Sequence, residues 1–282
     1  MQRFPPLLPL LLVASMPALA AVPPQAPPLM FNIAAREVGL QQHGPAAILQ
    51  QAVPRACDNC SVRLQLMPAV KNRVISELRK DNQALNVFAG GYSAHREKQL
   101  DRIPINLDGG LNGMRLLISR QAEAGAVASV RTLEALRQLR IGQVRDWPDA
   151  AILRENGLLV EPALNMASLL GMLQHRRFDV VLWSASEALL NEADLKRRGL
   201  QVHRHLAVCY PAGQFLHVTR QDTQRFAIIE RGLRAMQQDG SLRRQQREAR
   251  AAILAGLGKT VSYLHLRPLL NVAGQQDPCE SP

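Results

Sequence analysis

The sequence of 282 residues predicts an α/β protein with two lobes. From residue 30 onward, short apolar runs alternate with helical patterns, which is typical of βαβ units that build a largely parallel sheet. The length suffices for two cores, because one domain usually holds about 100–200 residues. After residue 219 the sequence predicts two amphipathic helices without strands of their own. These helices must therefore pack on a sheet that an earlier part of the chain has built.

The first lobe opens with three strands and two helices. The strands are predicted at residues 30–34, 62–67 and 85–88, and the helices at residues 46–53 and 70–80. In the second of these helices Val70, Val74 and Leu78 recur every four residues. That spacing places them on one face of the helix, against a sheet.

The second lobe occupies the middle of the chain. Its predicted elements are, in order, helix 132–139, strand 140–144, helix 149–156, strand 158–161, helix 166–175, strand 180–183 and helix 187–196. Extended segments follow at residues 206–210 and 216–219. An amphipathic helix then ends at Asp239 and Gly240, and another begins at Ser241.

The return of the last helices to the first lobe requires two crossings between the lobes. We expect them near residues 115–120 and 209–215, where paired strands would form a hinge. Lobe one then comprises residues 30–118 and 211–272, and lobe two comprises residues 119–210. The proline-rich residues 21–29 and the tail at 273–282 are expected to be flexible.

Residues 1–20 have the pattern of a secretory signal peptide. Arg3 precedes an apolar run at residues 7–16, and Ala18 and Ala20 give the small-residue pattern of a cleavage site near Ala20. The run is too short to span a membrane, which takes about 20 apolar residues. We therefore expect an exported, soluble protein.

The formal net charge of +11 raises the question of nucleic acid as a partner. The arginines are scattered along helices, and only six Phe, three Tyr and two Trp are present for stacking on bases. Export also argues against nucleic acid. We expect a solvated basic face on a monomer, and an anionic ligand or an anionic membrane surface remains open as its partner.

Four cysteines in an exported chain indicate disulfides. Cys57 and Cys60 precede a strand, whereas a redox-active pair normally opens a helix, so we expect a structural disulfide between them. The pairing of Cys209 and Cys279 stays open. No second pair of metal ligands lies near the first, and His203 and His205 share only one strand face, so neither a metal nor a cofactor is expected.

Four segments together resemble the family 3 extracellular solute-binding proteins. They are Leu85 to Leu100 (LNVFAGGYSAHREKQL), Leu139 to Gln143 (LRIGQ), Arg177 to Val181 (RFDVV) and Ala235 to Leu242 (AMQQDGSL). More narrowly, GQVRDWPD at residues 142–149 with AILR at 151–154 looks like an uncharacterised proteobacterial branch, described as a transporter substrate-binding domain. The resemblance implies the two-lobed type 2 periplasmic binding protein fold, with the ligand cleft between the lobes.

The resemblance also implies a ligand site at the ends of strands. Arg96 matches the arginine of the family's S-x-x-R turn, and a guanidinium can grip a carboxylate through two parallel hydrogen bonds. The ligand-binding residues expected from it are Gly90, Gly91, Tyr92, Ser93 and Arg96 in lobe one, and Arg145, Asp146, Trp147, Ser184 and Glu187 in lobe two. Ser93 also suits a helix N-cap, and Trp147 suits either a ligand wall or the core, where we expect Trp183.

The sequence departs from the amino-acid-binding members of that family in three places, two of them single residues and one a loop of three residues. Gly91 stands where those proteins commonly have a hydroxyl residue, and Ser184 stands where they commonly have an acidic residue for the α-ammonium group. Arg145 to Trp147 replace a hydroxyl-rich loop. Glu187, one helical turn beyond Ser184, could supply a displaced carboxylate.

The sequence therefore predicts a periplasmic solute-binding protein that captures a small polar, carboxylate-bearing ligand for uptake or sensing. An ABC permease or a membrane sensor would be its partner, and no chemistry is expected. One alternative is an enzyme of the same fold, similar to cyclohexadienyl dehydratase, with Glu187 as its acid. Against it, no nucleophile with a base and an orienting partner is recognisable. Another alternative is a free-standing sensor or adaptor subunit.

Overall fold

The computed structural model describes residues 27–35, 44–66, 71–78, 80, 84–269 and 272–279. The predicted signal peptide at residues 1–20 lies outside the described residues. The strands are β1 (Leu29–Ala35), β2 (Cys60–Leu66), β3 (Phe88–Gly90), β4 (Leu100–Arg102), β5 (Met114–Arg120), β6 (Arg140–Val144), β7 (Leu159–Ala163), β8 (Val180–Ser184), β9 (Leu200–Cys209), β10 (Phe215–Thr219) and β11 (Ser262–His265). The helices are α1 (Pro45–Ala52), α2 (Lys71–Leu78), α3 (Ala94–Glu97), α4 (Ala124–Ala128), α5 (Leu133–Arg137), α6 (Pro148–Glu155), α7 (Met166–Gln174), α8 (Ala185–Leu190), α9 (Glu192–Arg197), α10 (Thr223–Gln238) and α11 (Ser241–Gly256).

Lobe one is built on β1 and β2, which pair in parallel, and on β10, which pairs antiparallel with β3 and β4. A bridge between Ile33 and Val87 connects the two groups of strands. Because side chains alternate along a strand, Leu216 and Val218 of β10 face the core beneath α1 and α10, while His217 faces away from it. His217 instead lies beside Phe88, on the other side of the sheet.

Lobe two contains a six-stranded sheet in the order β11-β9-β5-β8-β6-β7. β5 is antiparallel to β8 and β9, whereas β6, β7 and β8 run parallel to one another. Apolar clusters cover both faces of this sheet, and every residue of β5 and β8 is buried. Burial on both faces explains the nearly continuous apolar runs of these two strands.

The chain crosses between the lobes at residues 103–113 and again at residues 210–214. Asp108 ties the two crossings together, because its carboxylate accepts hydrogen bonds from the backbone N–H groups of Gly110, Asn112 and Gln214. Burial raises the pKa of Asp108, and these backbone hydrogen bonds oppose the rise. The carboxylate is thus a fixed part of the hinge.

The first crossing and the lobe boundaries differ from those expected. β5 is hydrogen-bonded within the sheet of lobe two, so that sheet begins at Met114, and neither a crossing at residues 115–120 nor a boundary at residue 118 fits the pairing. β11 pairs with β9 and belongs to lobe two, so the expectation that all of residues 211–272 lie in lobe one is wrong for this strand. The pairing partners of both strands lie far away in sequence. At the other end of the chain, Leu29 lies in β1 rather than in a flexible end.

α11 packs on both lobes. Leu242, at its start, lies in the core of lobe one, whereas Ile253, near its end, lies in the core of lobe two with Leu257. α10 packs on α1 in lobe one, as predicted, whereas the contact of the end of α11 with lobe two differs from the prediction that both helices after residue 219 pack on lobe one. Between the two helices Gly240 has a φ of 73°, a conformation that glycine adopts readily and that separates them sharply.

Both pairs of cysteines are bonded. Cys57 is joined to Cys60, which confirms the expected disulfide, and Cys209 is joined to Cys279, a pairing that the sequence had left open. Within the described ranges, no helix is both long and apolar enough to cross a membrane.

Candidate functional site

The side chain of Arg96 lies next to the C-terminal end of β3. The strand ends at Gly90, the chain turns through residues 91–93, and α3 brings the arginine back toward the strand. Its Nη1 donates a hydrogen bond to the carbonyl oxygen of Gly91 at 2.5 Å, and its guanidinium lies 5.2 Å from the ring centroid of Phe88. Only 6% of Arg96 is exposed. This burial lowers its pKa to about 10, against the opposing charge of Glu97.

No carboxylate of the described residues lies within ion-pair distance of the Arg96 guanidinium, whereas Arg102, a few residues later, is paired with Glu97. A buried cation without an anion is costly, because burial removes the water that would solvate it. The arrangement is suited to an anion that enters from outside the protein.

Gly90 leaves room for the side chain of Arg96, and Gly91 leaves room for the two crossings. A Cβ atom at Gly90 would lie 2.8 Å from Nη1 of Arg96, so only glycine allows the guanidinium this close to the strand. Gly91 lies beside both crossings, since a Cβ there would be 3.5 Å from Asn112 and from Gly213. This end of β3 therefore adjoins the hinge.

Tyr92 and Ser93 complete the turn before α3. The ring centroid of Tyr92 lies 5.9 Å from the guanidinium carbon of Arg102. Ser93 occupies the N-cap position of α3, but its side chain makes no capping hydrogen bond. The expectation that the Ser93 side chain caps α3 is therefore wrong.

His217 is a neighbour of Arg96 that the sequence analysis did not identify. It is fully buried, and its ring centroid lies 5.5 Å from that of Phe88. Burial, and then the charges of Arg96 and Arg102, lower its pKa to about 3, so the ring is neutral at physiological pH. Both ring nitrogens are buried and have no hydrogen-bond partner among the described residues. The period-two alternation of β10 was the available signal, because it places His217 opposite the core-facing Leu216 and Val218.

In lobe two, Ser184 and Glu187 lie where β8 ends and α8 begins. The hydroxyl of Ser184 is 2.9 Å from that of Ser186, and the indole Nε1 of Trp183 donates to a carboxylate oxygen of Glu187 at 2.8 Å. Trp183 is 7% exposed and lies in the core of lobe two, as expected. Ser184 is paired in register with Arg115 of β5.

Arg115 belongs to a buried network that sequence reasoning missed. Its Nη2 lies 2.5 Å from Oδ1 of Asp149, and its Nε donates to the hydroxyl of Tyr210 at 2.6 Å. Tyr210 in turn donates to Asp149. Burial acts to lower the pKa of Arg115, but the nearby charges, above all that of Asp149, outweigh it and raise the pKa. Burial raises the pKa of Tyr210.

Arg145, Asp146 and Trp147 connect β6 to α6. Arg145 and Asp146 are exposed and 3.6 Å apart between Nε and Oδ1. Trp147 is half-buried and packs against the apolar core of lobe two. The structure thus gives Trp147 a core contact, one of its two predicted roles. The hydrogen bond and the ring contact of Arg96 stay within lobe one and do not reach these three residues.

Other polar features lie apart from the predicted site. His203 and His205 face each other on β9 with ring centroids 5.5 Å apart, and His203 lies 2.8 Å from the hydroxyl of Ser119. In the part of the chain that the structure describes, no three His, Cys, Asp or Glu residues are grouped to hold a metal ion. Two surface cavities of about 840 and 380 Å³ are lined by other residues, the first near Leu29 and Arg225 and the second near Arg102 and Arg220.

No protein-family model matches the chain, and no curated protein matches it in sequence. Solved structures do resemble it. The periplasmic VFT2 domain of BvgS from Bordetella pertussis is 16% identical with a TM-score of 0.53, over 82% of this chain and 94% of that one. An ancestral arginine-binding protein bound to glutamine is 14% identical with a TM-score of 0.52, over 78% and 96%. An ancestral arginine-binding protein bound to arginine is 14% identical with a TM-score of 0.50, over 79% of this chain and 99% of that one.

The chain has the two-lobed type 2 periplasmic binding protein fold. At identities this low the likeness concerns the fold alone. Arg96 follows the carboxyl end of β3, and Ser184 stands at the carboxyl end of β8, which is the edge where α/β sheets place their ligands.

Proposed function

We propose that this protein is a solute-binding member of the family 3 extracellular proteins, which captures a small carboxylate between its lobes. The protein acts in the periplasm as a monomer, and its signal peptide is removed near Ala20. Capture serves uptake through an ABC permease or detection by a membrane sensor. The ligand leaves the protein chemically unchanged.

The observation that carries the proposal is the unpaired charge of Arg96. Arg96 is only 6% exposed, its guanidinium donates one hydrogen bond to a carbonyl oxygen, and no carboxylate of the described residues forms an ion pair with it. A ligand carboxylate would supply the missing anion through two parallel hydrogen bonds. The glycines at 90 and 91 would let backbone N–H groups approach the same carboxylate. Tyr92 and Ser93 would border it on the lobe-one side.

The lobe-two side favours a ligand without an ammonium group. Ser184 presents a hydroxyl rather than a carboxylate, and its partner across the sheet is the cation Arg115. The carboxylate of Glu187 already accepts the indole N–H of Trp183 and lies near the charge of Arg115. Ser184, Glu187 and the loop of Arg145, Asp146 and Trp147 would close over the uncharged part of the ligand. A 2-oxo or 2-hydroxy acid fits this balance of charge better than an amino acid.

A thermal-shift screen of matched ligand pairs tests the proposal. Each amino acid is compared with the 2-oxo and 2-hydroxy acid of the same side chain, beside small dicarboxylates and aromatic acids. A ligand at about 100 times its Kd adds about 2.7 kcal/mol of stability, which a melting curve resolves easily. Stabilisation by carboxylates, stronger without the ammonium group, is the expected result. Stabilisation by polyamines or sugars alone would contradict it, and ligand turnover detected by mass spectrometry would favour an enzyme.

A further inference from the structure

The solvent-facing side of α11 carries a row of arginines. At about 100° per residue, Arg243, Arg247, Arg250 and Leu254 lie within about 60° of one another on the helix surface. Arg243, Arg244 and Arg247 are exposed, and Glu248 is the acidic residue of this 16-residue helix. The buried side of the same helix is formed by Leu242 and Ile253. The basic row is thus separate from the side that packs on the two lobes.

Arg250 is half-buried and donates a hydrogen bond to the carbonyl oxygen of Pro278, but the exposed Arg243, Arg244 and Arg247 are not neutralised by other described residues. Many exposed arginines of the described chain are paired, for example Arg198 with Asp194 and Arg234 with Glu230. In contrast, no ion pair or side-chain hydrogen bond of the described residues involves Arg243, Arg244 or Arg247. Three neighbouring guanidinium groups therefore project a positive field into solvent.

Apolar side chains lie at the other end of the same exposed side. Leu254 is 39% exposed, and the small residues Ala251 and Ala255 beside it are exposed as well. α8 contacts α11 there, and its last residue, Leu190, is 56% exposed. Lys259 follows the helix as a further exposed cation. Cations on both sides of exposed leucines are typical of surfaces that lie in a membrane interface.

We propose that this side of α11, with the end of α8, docks on the surface of a membrane that contains anionic phospholipid. Lipid head groups would neutralise Arg243, Arg244 and Arg247, while Leu190 and Leu254 would enter the boundary of the acyl chains. An acidic protein could form ion pairs with the arginines, but it would also need an apolar patch to cover the leucines. A bilayer that contains anionic lipid presents negative head groups and apolar acyl chains next to each other. The surface is distinct from Arg96, so docking leaves the proposed ligand site open.

Co-sedimentation of the exported protein with vesicles tests the docking surface. The vesicles contain either zwitterionic phosphatidylcholine alone or about 30% phosphatidylglycerol, a composition that gives a negative surface potential. We expect binding to the anionic vesicles only, and loss of that binding at high salt. Because each basic residue near an anionic surface contributes about 1 kcal/mol, or about fivefold, R243Q/R244Q/R247Q should bind at least about tenfold more weakly than the wild type. Leu254→Ser should weaken binding about threefold without changing the salt dependence.

The matched control is R154Q/R177Q/R267Q, which removes three exposed arginines that make no ion pair in the described chain. It loses the same net charge, so it should bind anionic vesicles within twofold of the wild type if the α11 row is the docking surface. Melting curves confirm that each variant is folded. Equal loss in the two triple variants would overturn the proposal, as would binding to phosphatidylcholine vesicles alone. Capture by an acidic polypeptide without any vesicle binding would assign the arginines to a protein partner and would also overturn it.

Discussion

Cys279 is disulfide-bonded to Cys209, and this bond fixes the C-terminal segment at residues 272–279 across the hinge. Within that segment Gln276 exchanges two backbone hydrogen bonds with Ala212 of the second crossing. The carbonyl oxygen of Ala273 accepts a hydrogen bond from Arg102 of lobe one. The segment expected to be a flexible tail is therefore attached to both lobes along its described length.

Loss of the Cys209–Cys279 bond should destabilise the protein strongly. The bond closes a loop with a sequence separation of 70, and a loop of that length adds about 4 kcal/mol by restricting the unfolded chain. The variant with Cys209→Ser and Cys279→Ser should therefore unfold at a clearly lower urea concentration. Equilibrium unfolding followed by circular dichroism measures the difference.

The Cys57–Cys60 bond provides the control for that experiment. Its separation is 3, so the same entropy model gives it about 2 kcal/mol. Replacement of Cys57 and Cys60 by serine should cost about half as much stability or less. Equal losses in the two double variants would show that loop length does not set the contribution of either bond.

Arg96 should trade stability against ligand binding. Since burial lowers its pKa to about 10, the charged form costs the folded state about 3 kcal/mol relative to the unfolded chain. Arg96→Met should therefore stabilise the unliganded protein, while it weakens carboxylate binding at least about tenfold. Arg96→Lys should recover part of the affinity, because a point charge lacks the two-pronged geometry. Melting temperatures and titration calorimetry measure both effects.

Arg102→Met is the contrasting variant. Arg102 pairs with Glu97 and donates to the carbonyl oxygen of Ala273, so its loss should destabilise the unliganded protein. If Arg96→Met were equally destabilising and kept the affinity for the ligand, Arg96 would be a structural residue and the site assignment would be wrong.

The sequence predicted correctly those helices and strands whose boundaries are marked by residues within or next to the element itself. Strand β6 begins and ends at the residues expected, because the run from Arg140 to Val144 is bounded by helical patterns on each side. The residues Asp239 and Gly240 predicted the end of α10 because glycine readily adopts the left-handed conformation that ends a helix, and Gly240 has that conformation. β5 was not recognised as a strand of lobe two, since its sheet partners β8 and β9 come about 60 to 90 residues later.

The sequence predicted only the part of the candidate site that lies within one short segment, the turn before Arg96. The S-x-x-R turn placed Arg96 after a strand, but its burial depends on Phe88 and Gly90, and its charge acts on His217, which lies 121 residues later. The network of Arg115, Asp149 and Tyr210 gave no sequence signal at all. A buried ion pair follows no periodicity, and only the folded sheet brings these three residues together.

Stability should fall as the pH is lowered from 7 to 5. Burial is the main cause that lowers the pKa of His203 to about 4 and that of His217 to about 3, whereas both histidines titrate near 6.5 when unfolded. Above pH 6.5 both histidines are neutral in the folded and the unfolded protein, so their protonation does not lower the free energy of unfolding. Below pH 6.5 the unfolded chain binds protons that the folded protein does not, and by pH 5 this lowers the free energy of unfolding by about 2 kcal/mol per histidine. Urea unfolding at several pH values measures the slope.

His217→Met isolates one of the two histidines. The substitution removes two buried ring nitrogens that lack hydrogen-bond partners among the described residues, so it should also raise the stability at pH 7. Its stability should fall less steeply between pH 7 and 5 than that of the wild type. A slope unchanged by His217→Met would mean that His217 is protonated as easily in the folded protein as in the unfolded chain.

The network of Arg115, Asp149 and Tyr210 should behave as one unit. Asp149→Leu leaves the buried guanidinium of Arg115 without its carboxylate, and breaking a buried pair costs about 3–5 kcal/mol. Arg115→Met should cost a similar amount by leaving the carboxylate alone. The variant that carries both substitutions removes both charges, so it should be at least about 1 kcal/mol more stable than the sum of the two single losses implies.

Tyr210→Phe completes this cycle. It removes the hydroxyl that joins Arg115 to Asp149 and should cost about 1–3 kcal/mol in the wild type, because both charged partners lose a hydrogen bond. In the protein that already carries Arg115→Met and Asp149→Leu, the hydroxyl has lost both partners, so the same substitution should be nearly neutral. Urea unfolding of the complete set measures these couplings. If the losses were simply additive, the three side chains would contribute to stability independently, and the hydrogen bonds between them would not couple them.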